Sequence, residues 1–242
     1  CLAVTDHDTV EGVAPCQALA AEYNLEIIPG IELSSEDNHR DVHILGYFVD
    51  IDDTRLLESI RQFQEARVAR IKKMIEKLAC LGVAGIDFPE VAALTRSDSV
   101  GRLHLAMILA QKGLVYDIKD AFDRYIGEDG PAYVPKWKLS PVEAIQLIKD
   151  VGGVAVLAHP MVTNCDEIIP SLVKAGLGGM EVFYPNSSPD AICFYGKLAQ
   201  KHHLVATGGS DAHGSVKAST HIGKVKVPYE VVEELRQRAA QG

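Results

Sequence analysis

The sequence predicts an α/β protein whose strands form a closed or barrel-like sheet. Short apolar runs that are typical of buried strands alternate with helical segments on both sides of a long helical stretch. Five separated strand-like segments also end next to histidines or carboxylates, and a barrel readily brings the ends of many strands together. The side chains concerned are His7, Glu32, His43, His159, Asp211 and His213.

The N-terminal part is predicted to contain three strands. Residues 1–5 form a buried strand, residues 8–24 a helix that packs back on the sheet, and residues 25–29 a second strand, which together make a β-α-β unit. A third extended segment covers residues 41–49. Because the chain starts with Cys1, inside the first predicted strand, we expect the natural protein to carry a further segment before it.

Residues 54–139 are predicted to form a helical insertion. Apolar residues at spacings of three, four and seven predict a long helix over residues 54–81, and Gly82 and Gly85 end it. Three shorter helices are predicted after it, at residues 88–95, 101–112 and 118–125.

The alternation of strands and helices resumes at residue 140. Ser140, Pro141 and Glu143 form a capping box with proline at the first helical position, which is a specific start signal for a helix. The strands of this part are predicted at residues 154–158, 180–184 and 204–207, with helices at residues 166–175 and 191–202. The predicted organisation is therefore a barrel in two parts, residues 1–53 and 140–242, separated by the insertion.

Composition excludes several classes of protein. The formal net charge of −9 argues against an extended surface for duplex DNA, because counterion release needs a basic face. No stretch approaches the roughly 20 apolar residues that span a bilayer, and no signal peptide precedes the first strand, so we predict no membrane partner and a cytoplasmic location. The five cysteines include no CxxC pair and are expected to be free thiols in the protein core. The sequence does not fix an oligomeric state.

The six histidines and carboxylates at the strand ends point to a metal centre. Their mixture of nitrogen and oxygen donors suits Mn²⁺, Fe²⁺ or Zn²⁺ better than an all-oxygen cage for Mg²⁺ or Ca²⁺. Six ligands exceed the needs of one tetrahedral ion, so two or three ions are expected, with Glu32 and Asp211 as bridges. Two ions about 3.5–4 Å apart clamp the attacking and leaving oxygens of a phosphate ester.

Five motifs, in this order, resemble those of the PHP (polymerase and histidinol phosphatase) metal-dependent phosphoesterases. They are Thr5-Asp6-His7-Asp8-Thr9-Val10-Glu11-Gly12, Gly30-Ile31-Glu32, His43-Ile44-Leu45-Gly46, Ala158-His159-Pro160 and Ser210-Asp211-Ala212-His213-Gly214. The resemblance implies a distorted (β/α)₇ barrel with a trinuclear metal site. It makes ligands of His7, Glu32, His43, His159, Asp211 and His213.

The resemblance also implies that some of the family's ligands are missing from this chain, which leaves two of the three metal positions open for it. Three further family ligands come from an earlier His-x-His strand and a following Asp or His, which have no counterpart in this sequence. Two or three ions are expected when the protein is full length, Mn²⁺ first, with Fe²⁺, Zn²⁺ or Mg²⁺ as alternatives. Asp211, His213 and His7 are expected to act in catalysis as well as in metal binding.

Within the family, the helical insertion and the segment Ser99-Val100-Gly101-Arg102-Leu103-His104 resemble phosphoesterases that act on nucleoside 3′,5′-bisphosphates and on the 5′ ends of short RNAs. Arg102 is the expected phosphate clamp, because a guanidinium offers a bidentate fork to phosphate oxygens. A helix-capping role for Arg102 and a structural role for His104 stay open. Ser99 and Lys136 are further candidates for substrate binding, and the insertion would act as a lid.

The sequence therefore predicts a hydrolase that removes a phosphate from nucleoside 3′,5′-bisphosphates by attack of a metal-activated water. Trimming of short RNA from its 5′ end uses the same chemistry and is not separated from it by the sequence. Two alternatives stay open: a histidinol-phosphate phosphatase, which shares the metal motifs, and a non-catalytic PHP domain that binds a nucleotide or supports a partner.

Overall fold

The computed structural model describes four stretches of the chain, residues 1–94, 100–135, 139–213 and 222–241. The chain divides into two compact units. The first comprises Cys1–Leu57 together with Lys138–Gly242, and the second comprises Glu58–Trp137. Strands and helices mix in the first unit, whereas the described part of the second is helical, so the predicted α/β class is confirmed.

The first unit is built on a curled sheet of six strands that lie side by side in chain order. They are β1 (Leu2–Val4), β2 (Ile27–Asp37), β3 (Arg40–Tyr47), β4 (Val154–Leu157), β5 (Gly179–Phe183) and β6 (Val205–Gly208). β1 runs parallel to β2, and β4, β5 and β6 are parallel to one another, whereas β3 is antiparallel to both its neighbours. The described residues form a six-stranded half-barrel, where seven strands were expected.

β2 and β3 form a long hairpin that the sequence-based strand boundaries did not anticipate. The second strand was predicted to end at Pro29, but β2 continues to Asp37. Asn38 and His39 then adopt left-handed φ angles of 47° and 66°. Two such residues in succession make the tight hairpin turn whose twist matches that of the strands. The turn reverses the chain, which is why β3 breaks the β-α-β alternation.

The predicted helices are present in the predicted order, most with shorter boundaries, whereas α9 begins two residues before its predicted start. The helices are α1 (Val13–Ala20), α2 (Thr54–Cys80), α3 (Phe88–Ala92), α4 (Arg102–Gln111), α5 (Ile118–Ala121), α6 (Pro141–Asp150), α7 (Pro160–Thr163), α8 (Ile169–Ala175), α9 (Pro189–Lys201) and α10 (Glu230–Ala239). The capping box of α6 is confirmed, since the Ser140 N–H donates to Glu143 Oε2 and the Glu143 N–H donates to Ser140 Oγ. The short helix α7 and the C-terminal helix α10 were not predicted.

Two predictions from composition can be compared with the structure. All five cysteines are free thiols, as predicted, but the predicted core position was wrong for four of them, since only Cys165 is buried. Among the helices that the structure describes, none combines the length and the apolar character needed to cross a bilayer.

Helix α10 ties the two ends of the sheet together. Leu235 is buried in an apolar cluster with residues of β3, β4 and β6. Arg236 Nη2 donates to Glu26 Oε1, just before β2, at 2.6 Å. Arg238 Nη2 donates to the main-chain oxygen of His203, just before β6, also at 2.6 Å. Because β2 lies near one end of the sheet and β6 at the other, α10 holds the open sheet in its curled form.

Replacement of Leu235 by alanine tests this role of α10. The side chain is 3% exposed, and a buried Leu→Ala change costs about 2–5 kcal/mol of unfolding free energy. We expect that loss in urea denaturation followed by circular dichroism. Leu19→Ala is the matched control, because Leu19 is 59% exposed and surface changes stay within about 0.5 kcal/mol. Equal stability of the two variants would contradict the role given to α10.

The second unit has an apolar core of its own. Ile71, Met74 and Leu78 of α2 pack with Leu105 and Leu109 of α4 in one buried cluster. The spacing of the three α2 residues is the three-and-four pattern from which the long helix was predicted. The unit therefore buries its apolar residues among its own helices.

Candidate metal centre

Each strand of the half-barrel carries, in it or directly after it, a polar side chain that joins one cluster. His7 follows β1, Glu32 lies in β2 and His43 lies in β3. The other groups come from the second half of the sheet, where His159 follows β4, Glu181 lies in β5, and Asp211 and His213 follow β6. Side chains that are up to 206 positions apart in a chain of 242 residues thus meet at one place.

Glu32 lies at the centre of the cluster. Its carboxylate is 2.9 Å from His43 Nδ1, 3.3 Å from His159 Nε2 and 3.7 Å from His7 Nδ1. Burial by itself raises the pKa of Glu32, but the three imidazoles outweigh burial and hold that pKa below its ordinary value. Glu32 is therefore a buried anion on which three histidines converge.

The hairpin register places Glu32 and His43 on one face of the sheet. Glu32 lies opposite Leu45, and Ser34 lies opposite His43. Residues directly opposite each other in an antiparallel pair project from the same face. Ile31, next to Glu32, projects from the other face and is fully buried. The alternation of side chains in β2 and β3 thus places the Glu32 carboxylate and the His43 imidazole on the same face of the sheet.

Main-chain hydrogen bonds bring His7 to the same place. The Asp8 N–H donates to the Glu32 main-chain oxygen at 2.9 Å, and the Glu32 N–H donates to the Asp6 main-chain oxygen at 3.0 Å. The carboxylate of Asp8 accepts the Ser34 N–H at 2.7 Å. Asp8 is buried, so this carboxylate anchors the turn that carries His7.

Asp211 and His213 lie beside His7 and His159. The imidazole rings of His213 and His7 are 5.8 Å apart between centroids. His213 Nδ1–H donates to the main-chain oxygen of Asp211 at 2.8 Å, which leaves the lone pair on Nε2. The Tyr184 hydroxyl donates to Asp211 Oδ2 at 2.7 Å, and the Tyr184 ring lies 5.8 Å from that of His159. The structure therefore brings all six predicted ligands together.

The cluster fits a divalent metal ion. Within the described stretches, the buried Nδ1 atoms of His7 and His43 have no partner in hydrogen-bond geometry, although His43 Nδ1 lies close to Glu32. Buried polar atoms without partners are rare in native structures. One ligand atom each from His7, Glu32 and His43 lies within 4.8 Å of the others. Burial also lowers the pKa of His7, which favours the neutral imidazole that coordinates metals.

Strained backbone accompanies the cluster. Asp8, His159 and Asp211 adopt left-handed φ angles of 53°, 26° and 44°. Residues other than glycine rarely adopt this region, and those that do concentrate at functional sites where the surroundings enforce the conformation. Each of the three residues follows the end of a strand, at a position where the chain must turn to present a side chain.

Two residues of the cluster were missed by the sequence analysis. Glu181 of β5 is 4% exposed, and its Oε2 accepts the main-chain N–H of His159 at 2.9 Å. Burial raises the pKa of Glu181. In the sequence, Glu181 is recognisable as a lone carboxylate inside the apolar run of β5. Strand alternation by itself did not show from which face of the sheet its side chain projects. Tyr184, the partner of Asp211, had no signal of its own.

Replacement of Glu181 by alanine should weaken Mn²⁺ binding by about 10- to 100-fold. The change removes the acceptor of the His159 N–H and with it the support for the strained backbone of His159. Isothermal titration calorimetry measures the affinity. Glu181→Gln keeps a carbonyl acceptor and should lose less than the alanine variant. An alanine variant with the Mn²⁺ affinity of the unaltered chain would show that Glu181 does not position His159.

The predicted substrate-binding residues belong to the second unit, and two of them, Ser99 and Lys136, lie outside the described residues. Arg102 is the first residue of α4. Its guanidinium lies 5.5 Å from the ring centroid of Phe122 and 5.4 Å from that of Tyr133. Arg102 therefore packs against aromatic rings of its own unit, and its contact with substrate stays a prediction.

His104 has a contact that explains its position without a substrate. Its Nδ1 accepts the main-chain N–H of Gly101 at 3.1 Å, so the imidazole caps the helix in which it lies. Burial lowers the pKa of His104 and keeps it neutral, as an acceptor must be. A role in substrate binding would have to use the other ring nitrogen.

Several characterised proteins are similar to this chain, although no family model matches it. The chain is 30% identical over 227 residues to a 3′,5′-nucleoside bisphosphate phosphatase of Chromobacterium violaceum, covering 92% of the chain and 80% of that protein. It is 31% identical over 219 residues to the 5′-3′ exoribonuclease Rnm of Escherichia coli, covering 88% and 74%. A phosphoribosyl 1,2-cyclic phosphate 1,2-diphosphodiesterase of Eggerthella lenta is 29% identical over 231 residues, covering 92% and 86%.

Two solved structures share the fold. A protein of Bifidobacterium adolescentis assigned to the metal-dependent phosphoesterases superimposes with a TM-score of 0.80 at 28% identity, over 98% of this chain and 85% of that one. An amidohydrolase of Chromobacterium violaceum, with bound SO₄ and no metal, superimposes with a TM-score of 0.77 at 29% identity, over 98% and 86%. The likeness extends over nearly the whole chain, strands and helical unit alike.

Proposed function

The chain belongs to the PHP family of metal-dependent phosphoesterases, and we propose that it hydrolyses a phosphate monoester of nucleoside 3′,5′-bisphosphates. The observation that carries the proposal is the buried carboxylate of Glu32 with imidazole nitrogens of three strands around it. The Chromobacterium relative is a phosphatase for this class of nucleotide, and the Escherichia relative is a 5′-3′ exoribonuclease. Short RNA trimmed from its 5′ end is therefore a second candidate substrate.

The metal centre is proposed to use six ligands, with Mn²⁺ as the first choice and Fe²⁺, Zn²⁺ or Mg²⁺ as alternatives. A bound divalent ion lowers the pKa of a coordinated water and neutralises charge on phosphate oxygens. Two or three ions are proposed for the full-length protein. The ligands are His7, Glu32, His43, His159, Asp211 and His213.

Three of these residues are proposed to act on the substrate. The side chains of His7 and His213 are 36% and 30% exposed, whereas that of Glu32 is 8% exposed. His213 holds its proton on Nδ1 against the Asp211 main chain, so Nε2 is the atom it can offer. Tyr184 orients the carboxylate of Asp211. His7 and His213 are thus the two most exposed ligands of the cluster, and a phosphate ester is proposed to react there, beside Asp211.

Substrate binding is proposed for the second unit, which would act as a lid. Arg102 is the proposed phosphate clamp, and Ser99, His104 and Lys136 are proposed to assist it. A cytoplasmic location and the lack of a duplex DNA partner stay predictions from composition.

Phosphate release from adenosine 3′,5′-bisphosphate tests the proposed function. We expect Mn²⁺-dependent release by the protein extended upstream to its start codon, none after treatment with EDTA, and a loss in kcat/KM of at least about 100-fold in Glu32→Gln of that protein, which is about 2.7 kcal/mol of transition-state stabilisation. Release by the extended protein and not by the present chain would mean that the ligands expected before Cys1 are needed for catalysis. His39→Asn is the matched control, because the His39 side chain is 99% exposed and asparagine tolerates its left-handed backbone.

Parallel assays separate the candidate functions. Faster hydrolysis of a 5′-phosphorylated oligoribonucleotide than of the bisphosphate would make the exoribonuclease activity primary. Faster hydrolysis of histidinol phosphate would overturn the assignment to nucleotides. An extended protein that binds Mn²⁺ yet releases phosphate from none of the three would favour the non-catalytic alternative.

A further inference from the structure

Two arginines of the second unit share one aromatic ring. The guanidinium carbons of Arg70 in α2 and of Arg102 in α4 lie 5.5 Å and 5.4 Å from the ring centroid of Tyr133. Arg70 Nε donates to the main-chain oxygen of Val134 at 2.7 Å. Arg102 Nη1 has a longer contact of 3.4 Å with the main-chain oxygen of Ile126. Both guanidiniums are thus held on the same short stretch of chain.

This pair differs from several other arginines that the structure describes. Arg40, Arg55 and Arg61 each form ion pairs with carboxylates. Among the residues that the structure describes, neither Arg70 nor Arg102 forms an ion pair with a carboxylate, and the contacts of both are with carbonyl oxygens and aromatic rings. Two positive charges are therefore held against the same ring, and no carboxylate among the described residues pairs with either of them.

Holding two like charges near one ring has a cost that the geometry must offset. Both arginines are half-buried. Burial, and after it the charge of Arg102, lower the pKa of Arg70. Stacking on Tyr133 holds each guanidinium in place but does not remove the repulsion between the two charges. An anion bound by both groups would remove it and would use the bidentate donors that stacking leaves free.

We propose that Arg70 and Arg102, held on Tyr133, form one binding site for a tetrahedral dianion, the phosphate group of a nucleotide. The role of Arg102 as phosphate clamp is taken from the proposed function, and this inference rests on the proposed function for that role. Arg70 is the new element. Its role is to share the phosphate with Arg102, so that a lysine, which presents a single point charge, is a poor substitute.

A double-mutant cycle tests whether the two arginines hold one anion. The variants are Arg70→Gln, Arg102→Gln and the pair, with adenosine 3′,5′-bisphosphate as substrate and Mn²⁺ present. Each single change should raise KM by about 10- to 100-fold, the loss of a hydrogen bond to a charged group, with kcat changed by less than about threefold. Because the phosphate is shared, the double variant should lose much less than the product of the single losses.

A binding measurement separates this site from the proposed function. The chain is treated with EDTA, and the rise in melting temperature on addition of inorganic phosphate or adenosine 5′-monophosphate is measured, since a ligand that binds the folded state stabilises it. The rise should shrink in Arg70→Gln and Arg102→Gln. Arg61→Gln is the matched control, because Arg61 lies in the same helix with its charge paired to Glu58 and Glu65.

The outcomes are distinct. Arginine-dependent stabilisation by the nucleotide and by inorganic phosphate, in a chain without hydrolytic activity, would sustain the anion site and reject the proposed function. Multiplicative losses in the cycle, or equal stabilisation by phosphate in Arg70→Gln and Arg61→Gln, would reject the shared site. Arg70→Lys guards against a folding defect: it keeps a charge on Tyr133 and should fold, yet should still raise KM. An unchanged KM in a folded Arg70→Lys variant would also reject the site.

Discussion

The contact between the buried Glu32 carboxylate and the histidines of neighbouring strands is the constraint on which the first unit depends. A buried anion is costly unless it is paired, and Glu32 meets this requirement only if His7, His43 and His159 all stay in place. The hairpin register is fixed by the same demand, because a slip of one residue in β2 would move Glu32 to the opposite face. The contacts of Glu32 therefore fix both the register of the sheet and the positions of the site residues.

The backbone strain at the site is offset by stabilising contacts elsewhere in the fold. Three strained residues stand at strand ends, each at a cost of about 1–3 kcal/mol. Glu181 supports one of them through the N–H of His159. The apolar cluster around Leu235 and the ion pair of Arg236 with Glu26 hold the sheet curled, so that its strand ends stay near one another. The reactive end of the sheet is thus strained, and the stabilising contacts of α10 lie at the other end of the strands.

Local sequence predicted much of this protein, and the failures share one cause. The long helix α2 and the capping box of α6 depend on neighbours in sequence, and both were predicted. The six residues proposed as ligands were recognisable because each sits in a short motif, and the structure places all six in one cluster. The direction of β3 depends on a turn of two left-handed residues, Asn38 and His39, and was missed. The inward orientation of Glu181 depends on pairing with strands far away in sequence, which no local pattern encodes.

Anomalous X-ray diffraction at the manganese edge, from crystals of this chain grown with Mn²⁺, tests the central claim most directly. The account predicts at least one anomalous peak at about 2–2.3 Å from a carboxylate oxygen of Glu32 and from nitrogens of His7 or His43. The imidazoles would then turn from Glu32 towards the ion. Well-ordered crystals with no peak at Glu32, and with direct hydrogen bonds between Glu32 and the three histidines, would contradict the assignment of a metal centre.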